Sequence, residues 1–177
     1  GCTYASVGEV RELEPSGNSF ADALSSEYKQ IALYEADEMA DWVDAEHFAI
    51  KALDAAKGTV GQPEPIEEWD IKVDKIPELS AARERLITFL NAGAGGSIPM
   101  QAAKAQASFD CWVEQQEEGH QLDHIALCRN NFYSALGEVE PVVKPQATVL
   151  FEFDSDEIDK QAQASLNAFA EYVSKFD

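Results

Sequence analysis

Helical spacing of apolar residues dominates the first third of the chain. From Ser19 to Lys57 there is neither glycine nor proline, and Gly58 closes this stretch. The apolar residues lie on one helical face in the first half of this stretch and on a different face in the second half, which predicts two helices with a break near residues 40–42. The first face comprises Phe20, Leu24, Tyr28, Ile31 and Tyr34, and the second comprises Ala45, Phe48, Ala52 and Leu53. The pattern therefore predicts a helical hairpin.

The second helix of this hairpin resembles part of a tetratricopeptide repeat. In residues 41–53 an aromatic residue, Trp42, follows the turn, and small alanines would let the two helices approach closely. The resemblance covers about one repeat, whereas a stable array needs about three. It therefore supports a hairpin rather than a peptide-binding array.

Three more helices are predicted after an extended connection over residues 59–77, whose apolar side chains should tuck against the bundle. These helices span about residues 77–91, 99–118 and 123–136, and a glycine turn at 93–96 separates the first two. Gly119 should end the second of them, and Asp123 should cap the third. The predicted fold is mainly α, a bundle of about five helices in antiparallel hairpins over residues 18–138.

The regions on either side of the bundle have a different pattern. Residues 1–17 contain glycine and proline with little periodicity, which predicts a tether, and residues 139–147 contain two prolines, which predicts a linker. In residues 148–153 the β-branched and aromatic content predicts a β-strand. A helix should follow over about residues 159–176, so residues 148–177 are expected to be a piece of an α/β domain.

Charge narrows the possible partners. The 177 residues include 33 acidic and 13 basic side chains, for a formal net charge of −20, so nucleic acid and anionic lipid surfaces are disfavoured. A hydrophobic content of 45% is enough to build a core. No apolar run approaches the roughly 20 residues that a membrane-spanning helix needs. These counts predict an acidic, folded, non-spanning protein.

The pair Gly1-Cys2 resembles the end of a bacterial lipobox, in which cleavage precedes a lipid-modified cysteine. Small and polar residues follow it, as expected for the start of a mature lipoprotein. The resemblance implies a lipid on Cys2.

Two other cysteines, Cys111 and Cys128, are equidistant from the turn around Gly119. Equidistant positions face each other in an antiparallel helical hairpin, so a disulfide is favoured. Two buried thiols are an alternative, and a metal site that adds His120 and His124 is another. The turn displaces His120 from the helical stripe of the other ligands, so no metal is expected. A disulfide would indicate an oxidising compartment.

The C-terminal stretch resembles the opening of the OmpA-like peptidoglycan-binding domain. Residues 149–158 read VLFEFDSDEI and match its strand and acidic turn, and residues 162–173 carry its leucine and alanine stripe. The family domain is longer than this stretch, and its later aspartate and arginine, which grip diaminopimelate, do not occur here. Phe153 and Asp154 match the rim of the binding pocket, although packing by Phe153 and helix capping by Asp154 would explain them as well.

The resemblance implies that the intact parent binds peptidoglycan. Because both edges of strand 148–153 would be unpaired in this chain, self-association through that strand is also expected.

Together the two resemblances predict a non-enzymatic cell-envelope lipoprotein of the outer membrane that faces the periplasm and tethers the membrane to peptidoglycan. The helical domain would be a spacer or a docking surface. The alternative is a periplasmic helical module that recruits a protein partner. Catalytic motifs are lacking, and no cofactor is expected. His47 and the acidic run from Glu35 to Glu46 are interpreted as a helix histidine and a solvated charged face.

Overall fold

The computed structural model describes residues 4–15 and 17–137. Within these residues the chain forms seven α-helices, which confirms a mainly helical fold. They are α1 (Ala5–Glu12), α2 (Phe20–Tyr34), α3 (Trp42–Ala56), α4 (Ile76–Asn91), α5 (Ala94–Ser97), α6 (Pro99–Glu118) and α7 (Leu122–Ala135). The predictions for Cys2, Phe153, Asp154, the linker 139–147 and the region 148–177 lie outside the described residues.

The break between α2 and α3 falls where the sequence predicts it. A π-helical turn over Glu35–Met39 follows α2, and Ala40 adopts a left-handed backbone conformation with φ 57°. Asp41 then caps α3 by accepting hydrogen bonds from the backbone N–H groups of Val43 and Asp44, at 3.0 and 3.1 Å. The two helices pack against each other as a hairpin.

Helix α1 corrects the prediction of a tether over residues 1–17. Residues Ala5–Glu12 are helical, and Val7 and Val10 are buried in the core. A carboxylate from α3 caps the helix, because Glu46 accepts hydrogen bonds from the N–H groups of Ser6 and Val7 at 3.2 and 3.1 Å. This cap lies about 40 residues away in sequence, so local pattern does not reveal it.

The connection between α3 and α4 is only partly tucked in. Ile66 and Ile71 are buried, whereas Val73 is 82% exposed. Hydrogen bonds from Arg83 of α4 hold this connection in place, since the guanidinium donates to the carbonyls of Pro63 and Glu64 at 3.1 and 2.9 Å. The prediction that its apolar residues cover the bundle therefore holds for Ile66, Ile71 and the partly buried Trp69, and is wrong for Val73.

Helix α6 lies at the centre of the described domain. It packs against α2, α4, α5 and α7, and most of its residues are buried. On one side Ala103 and Ala107 join a core built from α1, α2 and α3, and on the other Phe109 and Trp112 join a core built from α4 and α7. The predicted bounds of α6 are confirmed, and Gly119 ends it with φ 67°. The predicted cap of α7 is wrong by two residues, since Gln121 occupies that position.

Within the described part of the chain, each helix is too short or too polar to cross a lipid bilayer.

Candidate functional site

Cys111 of α6 and Cys128 of α7 lie side by side. Their sulfurs are at disulfide-bonding distance, and their Cα atoms are 5.8 Å apart. The two histidines of the alternative metal site point to other partners. His120 contacts the carbonyl of Glu118 at 3.2 Å, and Nε2 of His124 lies 2.9 Å from the hydroxyl of Tyr34. No group of three or more His, Cys, Asp or Glu side chains among the described residues is arranged to hold a metal ion.

Reduction of the Cys111–Cys128 bond is expected to lower the free energy of unfolding by about 3 kcal/mol. The disulfide restricts the unfolded chain by closing a loop, and reduction removes that restriction. The check is urea denaturation of the Cys2→Ser variant with and without reductant, so that Cys2 does not complicate the chemistry. The same titration of Cys2→Ser/Cys111→Ser/Cys128→Ser should be insensitive to reductant. Alkylation of both thiols in native, unreduced protein would contradict the disulfide.

A buried polar network joins α2, α3, α6 and the connection after α3. The carboxylate of Asp110, which is fully buried, accepts hydrogen bonds from the hydroxyl of Tyr28 at 2.5 Å, from Lys51 at 2.8 Å and from the N–H of Glu64 at 2.8 Å. The carboxylate of Glu64 contacts Lys51 and also His47, whose Nε2 lies 2.8 Å away. Lys51 thus bridges two buried carboxylates.

The pKa values follow from this geometry. Burial favours the neutral form of Glu64, but His47 and Lys51 outweigh it and lower its pKa to about 2. Burial would also lower the pKa of Lys51, yet Asp110 and Glu64 hold it above its usual value. His47 is therefore a structural partner of Glu64 in the described fold, packed edge-on against Phe48 with ring centroids 5.3 Å apart.

A second polar centre lies where the π-helical turn meets α6. Glu35 and Glu114 are 1% and 0% exposed, so the prediction of a solvated face is wrong for Glu35. Burial raises the pKa of Glu114 to about 9 and that of Glu35 to about 7, and acidic neighbours add to both shifts. Burial also raises the pKa of Asp44, to about 6. Such perturbed carboxyls are typical of functional sites.

Two oxygen atoms of this centre have no hydrogen-bond partner among the described residues. They are Oε2 of Glu35 and Oε1 of Gln115. The Gln115 side-chain amide donates to Glu114 at 3.0 Å and to Glu35 at 3.4 Å, so its nitrogen is satisfied. Unpartnered buried acceptors are rare in folded proteins and call for an explanation.

Glu35 and Gln115 line a cleft of about 550 Å³. We call this the α2–α7 cleft: α2 and the π-helical turn form one wall, α7 forms the other, and α6 lies at its base. Its apolar lining includes Ile31, Ala107, Leu127 and the Cys111–Cys128 pair. The contact between Tyr34 and His124 joins the two walls.

No sequence motif predicts either polar centre. The positions of their carboxylates on the apolar stripes of α2 and α6 do indicate that these groups are buried. Glu35 lies seven residues after Tyr28, on the apolar stripe of α2, and Asp110 and Glu114 continue the stripe of Ala103 and Ala107 on α6. Carboxylates in these positions must be buried if the helices pack on their apolar faces. Each buried polar side-chain atom of the network around Asp110 has a hydrogen-bond partner, whereas Glu35 and Gln115, which line the cleft, each have a buried oxygen without one. Comparison of the chain with protein-family models, curated proteins and solved structures finds no match.

Proposed function

We propose that this chain is a non-enzymatic lipoprotein of the bacterial cell envelope, attached to the outer membrane by a lipid on Cys2 and facing the periplasm. The observation that carries the proposal is the pairing of Cys111 with Cys128 across the α6–α7 hairpin. Structural disulfides persist in oxidising compartments and are rare in the cytosol. The pairing thus supports export of the helical domain.

The resemblance of residues 148–177 to the start of an OmpA-like domain supplies the second half of the proposal. In the intact parent this region would bind peptidoglycan, with Phe153 and Asp154 at the rim of the pocket. A lipid at one end and a cell-wall ligand at the other would tether the outer membrane to peptidoglycan. The helical domain would lie between them as a spacer or docking surface.

Because α1 begins soon after Cys2, a lipid on Cys2 would hold the helical domain close to the membrane. This helix begins at Ala5, three residues after Cys2, and three residues span at most about 11 Å of extended chain. At this end of the domain the rings of Tyr4 and Trp42 are partly exposed and have centroids 6.0 Å apart. Aromatic rings of this kind suit the membrane–water interface. A lipid on Cys2 would place them near the headgroups.

Metabolic labelling tests the proposal directly. The natural reading frame, expressed in its own cell with an alkyne fatty acid, should yield a labelled protein, and Cys2→Ser should abolish the label. The matched control is Cys111→Ser/Cys128→Ser, which should retain the label because it keeps Cys2. Label on Cys2→Ser, or none on the unmodified sequence, would overturn the anchor.

A further inference from the structure

We infer that the α2–α7 cleft is a binding site for a small organic ammonium compound that carries an apolar group. This inference stands on the described domain and does not depend on the proposed lipid anchor. It rests on three properties of the cleft, namely its shape, its unpartnered acceptors and its charge.

The shape is that of a small-molecule site. A volume of about 550 Å³ lies within the range of roughly 300–1,000 Å³ that is usual for ligand pockets. Both walls are held in place, because α2 and α7 pack on α6 and the Cys111–Cys128 pair links α7 to the base. A rigid scaffold of this kind can position a ligand without first having to order itself.

The unpartnered atoms determine which hydrogen-bonding groups fit. Oε2 of Glu35 and Oε1 of Gln115 are acceptors, and both residues are 1% exposed. An ammonium group has three N–H donors and no acceptor, so it matches such a pair. A carboxylate or phosphate would add further acceptors to a site that already has an excess of them. The hydrogen bonds therefore select a donor ligand.

Charge selects a cation among donor ligands. Asp41 and Asp44 at the start of α3 and Glu118 of α6 raise the pKa of Glu35, so all three bring negative potential to it. With a pKa of about 7, the carboxyl group of Glu35 is partly ionised at neutral pH. A bound cation would favour its ionised form. The opposite wall contributes His124, which contacts Tyr34.

Among the described residues that line the cleft, Lys104 is the one lysine or arginine, and its charge is matched by that of Glu27. Lys104 opposes the effect of burial on the pKa of Glu27, which shows that the two side chains are electrostatically coupled. The charge left for a ligand is therefore that of the Glu35 centre. Ile31, Ala107 and Leu127 would contact the apolar part of the ligand.

Calorimetric titration of the full 177-residue chain with hexylammonium at pH 7.5 tests the inference, with 1-hexanol and hexanoate as neutral and anionic comparators. Hexylammonium should bind at least tenfold more tightly than either comparator. Equal binding of hexylammonium and 1-hexanol would overturn the inference, because it would show only an apolar cavity. Absence of hexylammonium binding would overturn it as well.

Two matched pairs of variants locate the site. Glu35→Gln should weaken hexylammonium binding at least tenfold, while Glu38→Gln, an exposed position on the same π-helical turn, should change it less than twofold. Leu127→Lys adds a competing cation at the cleft, whereas Leu122→Lys adds one elsewhere on α7, where the side chain is 76% exposed. Of these two lysine variants, only Leu127→Lys should weaken hexylammonium binding, and this result does not depend on whether Glu35→Gln folds.

Equal effects within either pair would show that net charge, not the cleft, controls binding, and would overturn the inference. N-acetyl-lysine methylamide is the last probe, because a lysine side chain of a protein partner has the same chemistry as an alkylammonium. If it binds more tightly than hexylammonium with the same dependence on Glu35, the small-molecule assignment is wrong.

Discussion

Lys51→Met is expected to destabilise the helical domain by about 3–5 kcal/mol, because the substitution removes the ammonium group that contacts both buried carboxylates and leaves only His47 as a basic partner of Glu64. Asp110 is 0% exposed and Glu64 is 5% exposed, and Lys51 contacts both. Methionine keeps most of the aliphatic length of lysine, so the loss of packing should be small. Hydrogen bonds from Tyr28 and from the N–H of Glu64 would still hold Asp110, but neither carries a full positive charge.

Lys57→Met is the matched control. Lys57 lies just beyond the end of α3, its side chain is 71% exposed, and it pairs with Asp54 at 3.7 Å. An exposed pair of this kind contributes at most about 1 kcal/mol. Urea denaturation of the two variants measures the difference. Adding Asp110→Asn to Lys51→Met should recover part of the loss, because an amide can stay neutral and still accept from Tyr28. Equal destabilisation by Lys51→Met and Lys57→Met would show that the network does not brace the fold.

The sequence predicts the helices whose boundaries are encoded locally. Pro77 and Pro99 lie in the first turn of α4 and α6, and Gly119 ends α6, so these helices are found close to their predicted bounds. The approach of Cys111 and Cys128 also follows from local pattern, because it depends only on symmetry about one turn. Helix α1 is missed because its cap, Glu46, belongs to another helix.

Contacts between distant segments explain what the sequence does not reveal about the two polar centres. Lys51 is 13 residues from Glu64 and 59 residues from Asp110, and no motif connects them. Charged residues are usually exposed, so composition alone places all three on the surface. In the same way, Glu35 belongs to an acidic run, and only its helical phase distinguishes it from its exposed neighbours Asp37 and Glu38. The cleft itself depends on how α2 and α7 pack on α6, which hydrophobic periodicity does not specify.

The buried carboxyls Glu114 and Glu35 lead to a second large effect, on the pH dependence of stability. The pKa of Glu114 is about 9 and that of Glu35 about 7 in the folded domain, and the ordinary value of both is 4.5. Between pH 4.5 and its raised pKa, each carboxyl binds more protons in the folded state than in the unfolded state, so the free energy of unfolding falls as pH rises. Within that pH range each group lowers the free energy of unfolding by up to about 1.4 kcal/mol per pH unit. Glu64 acts in the opposite direction, since its lowered pKa costs stability as pH falls from 4.5 towards 2.

Maximum stability is therefore expected near pH 5, with a fall of about 2 kcal/mol or more by pH 8.5. Glu114→Gln should flatten this fall and should be more stable than the unmodified chain at pH 8.5, because glutamine fills a similar volume and never ionises. Glu84→Gln, at an exposed position on α4, is the control and should keep the original slope. Urea denaturation of the three proteins at pH 5.5, 7 and 8.5 measures the slopes. If stability rises between pH 5.5 and 8.5 in the unmodified chain, Glu114 must ionise readily in the folded state. The acidic centre would then be solvated, and the α2–α7 cleft would lose the buried acceptors on which its proposed ligand depends.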